Sequence, residues 1–134
     1  MPIAENSRKR SHFRKLFSIV VGTVILATIT MVVWSQGKTI TVEGYVIDSA
    51  CSFTKNLDKP ISKECAVACE KAGSQLVIQT KEGIIYWPID EKTPASGQNA
   101  KLLEFAGDRV KATGKLYDRG GSHALVIEKL EAVK

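Results

Sequence analysis

Residues 16–34 read LFSIVVGTVILATITMVVW, 19 residues without a single charged side chain. Hydrocarbon offers a backbone N–H or C=O no partner except another backbone group, so a run like this has essentially one folded form, a helix. At about 1.5 Å rise per residue it covers the roughly 30 Å of a bilayer's apolar core. We therefore expect a transmembrane helix over 16–34, with the rest of the chain arranged around it.

The flanking charges set its direction. Arg8, Lys9, Arg10, Arg14 and Lys15 precede the span against one acid, Glu5, while only Lys38 closely follows it. Cytoplasmic flanks carry the excess of Lys and Arg, so residues 1–15 are expected as a basic cytoplasmic tail and the C-terminal part as periplasmic or otherwise extracytoplasmic. A cleaved signal peptide shares the basic start and apolar core. It would show a shorter core and a small-x-small site, and Val33-Trp34-Ser35-Gln36 supplies neither. The expected location is thus the inner membrane, single-pass. Ser18 with Gly22, and Thr23 with Ala27, are small-residue pairs of the kind that let a second helix approach.

The tail also accounts for most of the basic balance. The whole chain is formally +5, yet beyond residue 15 it holds 14 basic and 13 acidic groups, net +1. A near-neutral exported domain has no electrostatic case for nucleic-acid binding.

After a linker at 35–38, which reaches at most roughly 13 Å when extended, residues 39–134 are enough for one small domain with one core. Alternation recurs through them. Ile40, Val42, Gly44 and Val46 alternate with Thr39, Thr41, Glu43 and Tyr45, the period of a half-buried strand. Residues 76–80, the turn Lys81-Glu82-Gly83 and residues 84–89 read as a hairpin. Val110, Ala112, Gly114 and Leu116 alternate next, and 124–130 return as a last strand after Asp118-Arg119-Gly120-Gly121. Two short helices are expected among these five strands. In the first, Ser62 is the N-cap, Ile61, Cys65, Ala68, Cys69 and Ala72 form the apolar face, and Gly73 is the stop. The second spans 99–106. Gly44 and Gly114 fall mid-strand, where a small closed barrel needs sharp bends. The pattern predicts a mainly β fold, a five-stranded OB-like barrel, with a small α+β sandwich as the alternative.

Three stretches carry a resemblance. Gly44-Tyr45-Val46-Ile47-Asp48-Ser49-Ala50-Cys51, then Cys65-Ala66-Val67-Ala68-Cys69, then Ala106-Gly107-Asp108-Arg109-Val110-Lys111-Ala112-Thr113-Gly114, resemble a group of small exported bacterial OB-like domains. Their pattern runs G-x-V-x-D-x-x-C, C-A-x-x-C, a-G-x-x-V-x-V-x-G. The resemblance implies fold and compartment and carries no established activity. Relatives carry a histidine just before C-A-x-x-C, where this chain has Lys63 and Glu64.

All three cysteines of the chain, Cys51, Cys65 and Cys69, lie in this domain. Residues four apart on a helix share a face, so Cys65 and Cys69 point the same way, and Cys51 at the end of the first strand can meet them. An oxidising compartment suggests a disulfide between Cys51 and one helix cysteine, closing a loop for roughly 3 kcal/mol. A second reading is three thiolates binding zinc with a fourth ligand, or trigonal copper(I). Asp48 and His123 are secondary candidates, as ligand, cap or supporting group. A third reading is thiol redox chemistry, with Cys65 activated in the first helical turn.

No G-x-S-x-G, Walker loop, H-E-x-x-H or C-x-x-C-H occurs. No catalytic residue is assigned, no cofactor beyond a zinc or copper ion is expected, and the balance leans against an enzyme. Tyr45, Tyr86, Trp87 and Tyr117 are read as barrel packing rather than a stacking surface. The expected function is that of a membrane-anchored binding domain, an accessory subunit beside an integral membrane protein. A thiol-redox or metal-handling protein working through its cysteines is the alternative.

Overall fold

The computed structural model describes residues 37–134. The expected tail, transmembrane helix and first half of the linker lie outside the described residues, and among those described no helix is long and apolar enough to cross a membrane.

The alternation of the first strand becomes real burial. In β1, Lys38–Asp48, Val42, Gly44 and Val46 face inward while Thr41 and Glu43 stay exposed. Its last three residues, Val46, Ile47 and Asp48, are all buried, because chain covers both faces there. The other strands are β2 (Leu76–Gln79), β3 (Ile85–Pro88), β4 (Arg109–Arg119) and β5 (Ser122–Ala132). They close in the order β1-β2-β3-β5-β4, with β4 bonded back to β1. Every pairing is antiparallel except β3 with β5. The fold is a closed five-stranded barrel, mainly β, and its order fits the OB-like expectation. An open sandwich would leave β1 an edge strand, whereas here it has partners on both sides.

Gly44 and Gly114 are where neighbouring backbone comes closest. A Cβ on Gly44 would stand 2.7 Å from the Gln79 carbonyl carbon, and one on Gly114 2.9 Å from that of Val126. The β4–β5 register shifts between Thr113 and Gly114. A bulge with no side chain lets the long β4–β5 ribbon turn sharply enough to close the ring.

Two helices were expected; three short ones and a 3-10 turn are described. The additional one, α1, spans Ser49–Thr54. It is six residues long, too short for a helical period to show in sequence. The next, α2, spans Lys63–Lys71 with Ser62 as its cap, as expected. The last, α3, runs only from Asn99 to Leu102 before tightening into a 3-10 turn at Leu103–Phe105.

The apolar face assigned to α2 requires correction. Ala66, 1% exposed, is the residue that enters the core, while Ile61 is 68% exposed and Ala68 and Ala72 face solvent. Ala66 and Leu102 join Val42, Val46, Leu76, Ile78, Ala106, Val110, Ala112 and Leu125 in one cluster. A small side chain lets α2 lie close to the barrel, so its cysteine row turns toward α1 instead of the core.

Candidate metal centre

Strand β1 delivers Asp48 to the N-cap of α1. Its carboxylate accepts the Cys51 N–H at 2.9 Å, satisfying a first-turn donor that the helix itself leaves unpaired. The same arrangement recurs at α2, where Ser62 Oγ accepts the Cys65 N–H at 3.1 Å. Each helix thus carries a cysteine three residues after its cap. Buried Ser52 donates to Gln79 Oε1 at 2.5 Å, and the Ser49 N–H bonds Gln75 O at 2.9 Å, so α1 is fastened to β2 and the loop before it.

The far end of α2 is equally determined. Gly73, at φ +97°, closes it with two reversed bonds, Gly73 N–H to Glu70 O at 2.8 Å and Ser74 N–H to Cys69 O at 3.0 Å. That turn brings the Ser74 hydroxyl to 3.4 Å from the same Asp48 oxygen that holds Cys51. Asn99 braces the segment by donating to Ser74 O and accepting from Leu76 N–H, each at 2.9 Å.

These constraints gather Asp48, Cys51 and Cys69 so that one carboxylate oxygen and two sulfurs lie within 4.8 Å of one another. Asp48 is 1% and Cys51 7% exposed. None of the ion pairs among the described residues includes Asp48. A buried carboxylate with hydrogen bonds but no countercharge is costly, and proteins hold such groups beside a cation or a metal.

The thiols register the same imbalance. Burial, and then the hydrogen bonding and charge of Asp48, push the Cys51 thiol from 9.0 up to about 12. Burial and Asp48 also raise Cys69. At neutral pH both are protonated, which removes the thiolate that nucleophilic or exchange chemistry at this pair would need. A thiophilic cation reverses the penalty, because its charge compensates both the carboxylate and the thiolates it creates.

Cys51 and Cys69 are neighbours, and none of the three cysteines is disulfide-bonded. Cys65 lies outside the close trio, half-buried one turn before Cys69. His123 does not join either. It begins β5, with Nδ1 2.5 Å from Asp118 Oδ1 and its ring 5.6 Å from that of Tyr86. Among the aromatic residues, Trp87 stacks on exposed Phe53 with ring centroids 6.2 Å apart, and Tyr117 Oη donates to Glu91 at 2.6 Å.

Ser74, Asn99 and Gln79 escaped sequence reasoning. Their roles depend on which strand lies beside which helix, and a polar residue near a turn looks alike whether or not it braces a site. A separate groove of about 700 Å³ is lined by the 56–61 loop, residues 43–45, Lys81 and Arg109.

A scan against protein-family models, a search of curated proteins and a search of solved structures each returned no match.

Proposed function

We propose that this chain is a membrane-anchored, extracytoplasmic OB-like barrel that works by binding a thiophilic metal ion between α1 and α2. The observation that carries the reading is the convergence of a buried sulfur, Cys51, and a half-buried one, Cys69, on an uncompensated buried carboxylate. Copper(I) suits it better than zinc. Zinc asks for four ligands in a tetrahedron, and His123 is engaged elsewhere. Soft sulfur donors in low number favour copper(I). The anchor and compartment rest on the apolar 16–34 run and the basic residues before it.

The full chain, isolated anaerobically in mild detergent from its own membrane, should carry about one copper per chain. Cys51→Ser and Cys69→Ser should each abolish retention, and Asp48→Asn, which keeps a capping oxygen, should weaken it about 10–100-fold. A chain that takes up no copper(I) after full reduction contradicts the reading.

A second reading is kept for the groove. Exposed Ile61 on its lining supports an accessory role beside an integral membrane partner. Co-purification in mild detergent would then recover that partner in fixed ratio, and a partner-free chain would count against it.

A further inference from the structure

Cys65 is the thiol that the trio leaves over. It sits on α2 one turn before Cys69, so the two share a helix face with Cβ atoms about 5–6 Å apart. Unlike Cys51, it is partly open to solvent. Its backbone is pinned by the Ser62 cap, which leaves the side chain as the movable part. Two metal–sulfur bonds of about 2.3 Å reach across at most about 4.6 Å, so a rotamer change at Cys65 suffices to share an ion held at Cys69.

Resting on the metal-binding reading above, we propose that Cys65 is the exchange ligand through which copper(I) reaches and leaves the Asp48–Cys51–Cys69 site. The three sulfurs form a path from the half-exposed start of α2 inward to α1. Copper(I) arrives bound to sulfur of a donor. A copper–sulfur bond to Cys65 forms as the Cys65 proton passes to water, and the donor's copper–sulfur bond breaks as its sulfur takes up a proton. Bonds to Cys69 and then Cys51 form in the same way, each with loss of one thiol proton, and the bond to Cys65 breaks as its sulfur takes a proton back from water. Copper stays in the +1 state throughout, so no oxidant or reductant enters. The partner implied is one that presents copper(I) on a thiolate at its own surface.

The test is the rate at which the full chain in detergent, under anaerobic conditions, takes copper(I) from its glutathione complex. Cys65→Ser should still bind one copper but load about tenfold more slowly, the low end of what losing a supporting group at a metal site costs. Cys65→Met, which returns a soft donor, should recover part of the rate. Unchanged circular dichroism is expected, since Cys65 lies outside the core. Loading of Cys65→Ser at the wild-type rate would overturn the exchange role, and so would loss of its bound copper, which would make Cys65 a resident ligand. Failure of the wild type to take up any copper would instead sink the metal reading itself, and this inference with it.

Discussion

At the scale of the residue, Asp48 does two jobs that pull in opposite directions. Its carboxylate caps α1 and holds Ser74, which orders the site, yet it places a negative charge where two thiols must stay neutral. The consequence for stability has a definite sign. Below pH 9 the Cys51 thiol is protonated in folded and unfolded chains alike, and its full contribution is present. Between about 9 and 12 the unfolded chain releases that proton first, so stability falls as the pH rises through the window. Urea midpoints of the reduced protein should therefore drop more steeply across this range in the wild type than in Cys51→Ala. Parallel slopes would show that the folded chain lets the thiol ionise freely. Cys51, Cys65, Cys69 and Asp48 were all legible as candidates, because thiols and an acid so close in sequence are few. Their division into a close trio and an outlying Cys65 was not, since it depends on how closely α2 approaches the barrel through Ala66. The disulfide was the natural reading of cysteine number and compartment; in the structure Cys51 and Cys69 lie near one another and are not bonded.

At the scale of the element, the glycines separate two kinds of cost. Gly73 has nothing within 4 Å of an added Cβ, so Gly73→Ala meets only the strain of a positive φ, about 1–2 kcal/mol. Gly114→Ala would drive a methyl group into the Val126 backbone at the bulge, where neither strand can yield without opening the ladder. Its cost should sit at or beyond the upper end of the roughly 1–3 kcal/mol typical of overpacking. Denaturant unfolding of the two variants measures the difference, and equal costs would mean that β4 and β5 do not approach as closely as described. Strands were the readable elements, for their period of two survives in any stretch long enough to count. Both N-cap residues stand in the sequence as well, but only Ser62 heads a run long enough to declare a helix. Asp48 heads six residues, and α1 passed unseen.

At the scale of the whole molecule, the barrel acts as a frame that brings the end of one strand, the start of α1 and the end of α2 to a single point. Val46 and Ile47 are fully buried just before Asp48, and Leu76, Val77 and Ile78 are fully buried just after Ser74 and Gln75, so the chain on both sides of the site is held in the interior. Such a frame suits holding an ion more than turning over a substrate, because the ligands come from segments fixed at both ends. The central claim is the identity of the groups around the ion, and X-ray absorption at the copper edge of the anaerobically loaded full chain reads them directly. The predicted result is copper(I) with two sulfur neighbours and no imidazole signature. A shell dominated by nitrogen, or an unchanged spectrum in Cys51→Ser, would contradict it.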